Sequence, residues 1–111
     1  MWYVFPQLRG LGRSDKAQFY GITSLQEARA YLAHPILGSR LRECVVALLN
    51  LGGSDPEQVL GSVDAQKLRS SLTLFRLARQ DEPVFSHALT RYFEGQLDRA
   101  TLVMLEKPDA Q

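Results

Sequence analysis

The sequence predicts a mainly α fold: one compact domain over residues 1–111, built from five to six helices behind an extended N-terminal segment. Three observations carry this. Apolar residues recur at helical spacing through most of the chain after Ser24, and most broadly over residues 62–79. Helix-start signals of the S-x-x-E kind stand at Ser24 and Ser54, and Pro or Gly punctuates the intervals. Apolar residues make up 45% of the chain and charged residues 23%, a balance that supports a folded core and argues against disorder.

Taken in order, the chain opens on Trp2, Tyr3, Val4 and Phe5, and Pro6 ends this extended run or confines it to an edge. So apolar an opening should pack on the core, and its abruptness predicts a segment upstream. Residues 8–15 form a loop in which Gly10 and Gly12 sit between Arg9 and Arg13. That loop is either a solvated turn or an anion-binding turn of backbone N–H groups and two guanidinium groups. It fits neither G-x-G-x-x-G nor the P-loop pattern. Residues 16–23 read as an irregular link.

Ser24 and Glu27 then box the start of a helix running through Ala33, with Leu25, Ala28, Tyr31 and Leu32 on its buried stripe. His34-Pro35 stops it, because a residue before proline avoids the α region. The next helix runs to about Asn50. Leu37, Leu41, Cys44, Val45, Leu48 and Leu49 form its apolar face, Val46 and Leu51 widen it, and Arg40, Arg42 and Glu43 face solvent. Ser54 to Glu57 box a short helix that Gly61 closes.

Residues 62–79 form the organising helix, with Ser62 as its cap. Leu68, Leu72 and Phe75 make one stripe, and Leu74, Leu77 and Ala78 broaden it. Asp64, Gln66, Arg69, Thr73 and Arg76 are left for the outward face. Lys67, Ser70 and Ser71 fall inside the apolar sector, where an ammonium is costly unless it has a partner. The plainer reading lets Lys67 run its stem along apolar surface and the serines bond back to carbonyls. The sharper one makes the three a polar pocket floor. After the Asp81-Glu82-Pro83 start, a helix carries Val84, Phe85, Ala88, Leu89, Tyr92 and Phe93 up to a stop at Gly95. Asp98 caps a last short helix with Leu102, Val103 and Leu105, and residues 106–111 read as a frayed tail.

Several function classes are poorly supported. A net charge of +1 and scattered arginines give no strong nucleic-acid signal. No apolar run approaches the roughly 20 residues that cross a bilayer, so no membrane partner is expected. The single cysteine, Cys44, fits a reducing cytoplasm and reads as a core thiol. His34 and His87 have no partners at metal-ligand spacing, no cofactor motif is present, and no serine sits in G-x-S-x-G. Asp81 and Glu82 suit the dipole of the helix they precede better than paired acid/base work.

The runs from Trp2 through Phe5-Pro6-Gln7 to Ser14, Tyr20-Gly21-Ile22, Glu27 through His34-Pro35, Lys67 through Phe75, and Tyr92-Phe93-x-Gly95 together resemble the bacterial domain of unknown function 1810, over essentially the whole chain. Members of that family usually carry about one helical hairpin before the W-x-x-F-P-Q segment, so the resemblance implies a shortened N-terminus here. Where the family has I-F-G and S-S-M-T-L-F, this chain has Val59-Leu60-Gly61 and Ser70-Ser71-Leu72-Thr73-Leu74-Phe75, swaps that cores tolerate. The label "calpastatin" often attached to the family implies a disordered, repetitive protease inhibitor, which a compact, unrepeated chain does not fit. A more distant likeness to the NADAR (YbiA-like) group implies cleavage of N-glycosidic bonds in ADP-ribose-type or riboflavin-pathway substrates. On this reading the chain is a small-molecule pocket protein for a nucleotide or sugar phosphate, with Trp2 stacking on a ring. Gln7, Ser70 and Ser71 orient the ligand, Lys67 binds its phosphate or carbonyl group, and Arg9 lines the pocket beside them. The alternative is a non-catalytic interaction module. A chain shortened at its N-terminus would also expose a surface through which it could pair as a homodimer.

Overall fold

The structure, a computed structural model, describes residues 5–6, 22–51 and 55–106. Among these it forms six helices: α1 (Leu25–Ala33), α2 (Leu37–Leu49), α3 (Pro56–Leu60), α4 (Ser62–Ala78), α5 (Pro83–Phe93) and α6 (Arg99–Glu106). None is long and apolar enough to cross a membrane.

Local chemistry sets most of the boundaries. Ser24 Oγ accepts from the Glu27 N–H at 3.1 Å, as the capping box requires. The Glu27 carboxylate returns one residue earlier than expected, accepting from the Thr23 N–H at 3.1 Å and the Thr23 hydroxyl at 2.9 Å. His34 ends α1 in extended backbone before Pro35 and also opens α2. Its Nδ1 accepts from the Ile36 and Leu37 N–H groups, both at 3.1 Å, where the capping residue Ile36 offers no side-chain acceptor. Two predicted caps are displaced. Asp55 caps α3, accepting from the Glu57 and Gln58 N–H groups at 3.0 and 3.4 Å; Ser54 lies outside the described residues. Gly61, at φ 87°, turns the chain from α3 into α4, and its carbonyl already accepts from Ala65 N–H at 2.9 Å. Gly61 is therefore the cap, and Ser62 is the first helical residue.

Helix α4 is the hub, packing against α1, α3, α5 and α6. Its six residues Ser70 to Phe75 are all buried, which at about 100° per residue covers every direction around the axis. Over that stretch the wide apolar sector is thus enclosed on every side, while the first turns of the helix keep an exposed face. Thr73, expected on the outward face, is fully buried. The chain around Asp98 covers that side: Thr73 Oγ1 donates to the Arg69 carbonyl and accepts from the Asp98 N–H, both at 2.8 Å. Asp98 in turn caps α6, its Oδ2 accepting from Thr101 N–H at 2.9 Å and the Thr101 hydroxyl at 2.7 Å.

Four helices close a ring in the order α1, α4, α5, α2 and back to α1, each packed on the next. Leu32, Leu41, Val45, Leu68, Leu72, Leu74, Phe75, Phe85 and Leu89 fill its interior. Phe5 joins this core, as expected for the aromatic opening. Each such side chain contributes about 1.5–3 kcal/mol by leaving water. Val46 and Leu51, expected to widen the buried face of α2, are instead each 45% exposed.

The ring is also fastened by arginines, each reaching the end of the next helix. Arg29 of α1 donates to Ala78 O at the end of α4, at 3.0 Å. Arg69 of α4 donates to Gln96 O and Leu97 O just beyond α5, both at 3.1 Å. Arg91 of α5 donates to Leu49 O and Leu51 O at the end of α2, at 2.6 and 2.5 Å. Arg42 of α2 donates to Leu32 O in the last turn of α1, at 3.1 Å. Helix C-termini leave carbonyls without intrahelical partners and carry partial negative charge, so a guanidinium is their natural complement. Arg42, expected at solvent, therefore turns inward, and it is completed by the Glu82 carboxylate at 2.5 and 2.9 Å. Glu82 stands at the start of α5, as expected, but its side chain makes no capping hydrogen bond there and pairs with Arg42 instead.

Candidate functional site

Two faces of α4 concentrate polar groups within a core helix. The first holds Lys67 and Ser71, one turn apart and about 40° from each other around the axis. Lys67 is half-buried and engaged in an interaction of its own. Ser71 is completely buried, and among the described residues its Oγ has no hydrogen-bond partner. Buried hydroxyls nearly always find a partner, so an orphaned one calls for an explanation. Ser70 lies about 60° from Lys67 and 100° from Ser71. Its hydroxyl donates back to Gln66 O at 3.2 Å, the bland role that a mid-helix serine often takes. Of the six residues that the sequence nominates, Lys67 and Ser71 share a face and Ser70 turns aside. Trp2, Gln7 and Arg9 lie outside the described residues. Tyr31 stands near this side of the hub, its ring centroid 5.5 Å from that of Phe75. Burial, helped by the neighbouring Cys44, pushes its phenol above the usual tyrosine range.

The second face looks roughly the opposite way, with Arg69 about 160° from Lys67. It is the wall of a groove with two adjoining lobes of about 390 and 290 Å³, between the start of α3, the middle of α4 and the end of α5. Arg69, Tyr92, Phe93, Pro56 and Asp55 line both lobes. The Arg69 guanidinium lies over the Phe93 ring at 5.8 Å, and Tyr92 OH donates to Leu48 O. Behind the smaller lobe, Gln66 donates to the buried Asp98 carboxylate at 2.6 Å. The sequence does not nominate this groove. Its residues read singly as a solvent-facing arginine, a helix stripe and a cap, and only the turn at Glu94 and Gly95 brings the ends together. Both of those residues have positive φ, and the Gly95 N–H donates back to Leu89 O at 3.0 Å.

Other chemistry has less to work with. Among the described residues, no three of His, Cys, Asp and Glu are grouped to hold a metal ion. Glu82 is committed to Arg42. Asp81 accepts from Arg79 Nε at 3.3 Å, a bond that holds its carboxyl below the usual range.

Comparison with known proteins agrees with this account of the fold. The family described as "Protein of unknown function (DUF1810)" matches residues 1–105. A crystal structure of the conserved hypothetical protein Rv1873 from Mycobacterium tuberculosis superposes with a TM-score of 0.92 at 46% sequence identity, covering 96% of this chain and 76% of that one. No curated protein matches the sequence.

Proposed function

Since the chain belongs to the DUF1810 family, whose description assigns no activity, we propose from its own residues that it is a small-molecule-binding protein for a nucleotide or ADP-ribose-type ligand. The ligand is bound at the Lys67–Ser71 face. The observation that carries this reading is the orphaned, fully buried Ser71 hydroxyl one turn from a lysine. An unsatisfied hydroxyl costs about 1–3 kcal/mol, a cost that a ligand atom accepting from it would offset. Lys67 supplies the positive charge that a phosphate or a polarised carbonyl requires. Trp2, Gln7 and Arg9 complete the reading as the stacking, orienting and anion-holding groups. Hydrolysis of an N-glycosidic bond in such a ligand is the chemical extension, with no residue assigned to it.

The test is a thermal-shift series with nucleotides, ADP-ribose and sugar phosphates on the wild type, Lys67→Ala and Ser71→Ala. A ligand at a hundredfold excess over its Kd stabilises by about 2.7 kcal/mol, a shift of several degrees for a domain of this size. The shift is expected in the wild type, lost in Lys67→Ala and reduced in Ser71→Ala, while both variants fold without ligand. No shift with any of these ligands, in a protein with a cooperative melt, would sink the reading and favour a non-catalytic interaction module.

A further inference from the structure

We propose that the groove on the opposite side of α4 is a separate binding site, for a small zwitterion of the α-amino-acid type. The inference is independent of the Lys67–Ser71 reading and rests on how Arg69 is held. Its Nε donates to Gln96 O, and its Nη2 donates to Leu97 O and, at 3.4 Å, to Gln96 Oε1. Its face is set against Phe93. The remaining nitrogen, Nη1, makes no hydrogen bond among the described residues, and Arg69 forms no ion pair there. A guanidinium fixed on one edge and unused on the other is preorganised for a carboxylate, because the ordering of its long side chain is already complete.

The same groove carries the opposite charge. Asp55 and Glu94 line the larger lobe beside Arg69 and Arg91; Arg91 is held on the Leu49 and Leu51 carbonyls, and among the described residues neither carboxylate forms an ion pair with Arg69. Asp55 spends only Oδ1 on its helix cap, leaving Oδ2 for a ligand. Opposite charges that share a cleft without meeting fit a ligand that bears both. A polyanion would meet the two carboxylates, and a simple cation would meet Arg69, so neither matches as well. A lobe of about 390 Å³ has the size of a small-ligand site, and Tyr92 and Phe93 offer it apolar surface.

The experiment is an amide NMR titration of the full chain with L-phenylalanine, N-acetyl-L-phenylalanine and L-phenylalaninamide. Saturable shifts are expected at the amides of Asp55, Glu57 and residues 94–97 with phenylalanine. Each blocked analogue should bind roughly tenfold more weakly, the scale of one lost charge-assisted contact. Asp55→Asn keeps the capping oxygen and removes the charge, so it should weaken phenylalanine and leave N-acetylphenylalanine unchanged. Absence of saturable shifts overturns the proposal, as does an N-acetyl analogue that binds as tightly as the parent. Neither result bears on nucleotide binding at Lys67.

Discussion

Ser71 and Thr73 are two residues apart on one helix, both without solvent exposure, yet their hydroxyls have opposite standing. Thr73 is fully used, giving one hydrogen bond to its own helix and receiving one from the start of α6. Thr73→Val keeps the volume but strands the buried Asp98 N–H, so denaturant unfolding should show a loss of about 1–3 kcal/mol. Ser71→Ala removes a group that has no partner among the described residues, and the same measurement should show no loss or a gain of up to about 1 kcal/mol. Composition and spacing singled out Ser71 as a polar residue in an apolar sector. They placed Thr73 outward, because helical angle alone cannot show which side a later segment will cover. That information resides in Asp98, which the sequence revealed only as a cap.

At the scale of the element, caps and breakers were the most legible part of the chain. Ser24, His34-Pro35, Gly61, Gly95 and Asp98 all act at the boundaries where their local chemistry puts them. The two misplaced caps are each wrong by a single residue, because a carboxylate at Asp55 and a positive φ at Gly61 supplied competing solutions. What local chemistry could not show is how closely elements approach. Gly38, in the first turn of α2, is the clearest case: a Cβ there would stand 2.1 Å from Leu32 O and 2.9 Å from Arg42 Nη1. The obstruction includes backbone, so Gly38→Ala should destabilise by about 3 kcal/mol in chemical denaturation, despite the better helix propensity of alanine. The groove was illegible for the same reason, since it exists only where the start of α3 and the end of α5 meet the middle of α4.

Across the whole molecule, arginines that looked scattered along the sequence turn out to be an ordered set. Arg29, Arg69, Arg91 and Arg42 run once around the helix ring in one direction, each satisfying carbonyls at the end of its neighbour. Planar geometry matters more than charge in this role. Arg42 reaches Leu32 O and both Glu82 oxygens at once, which an ammonium cannot match. Arg42→Lys should therefore cost about 1–2 kcal/mol in a thermal melt, close to the cost of Arg42→Ala, with the partial exposure of the Arg42 side chain limiting both.

The arginine ring also separates the integrity of the fold from the continuity of the chain. Arg29 joins α1 to α4 and Arg91 joins α5 to α2, pairs that are not consecutive along the backbone. A peptide bond severed at the exposed turn of Gln80 and Asp81 would leave α5 and α6 still tied to α2 by Arg91 and Tyr92, and to α4 by Arg69. The two pieces would form a complementing pair, and the order in which the helices are strung could be permuted without undoing what holds them side by side.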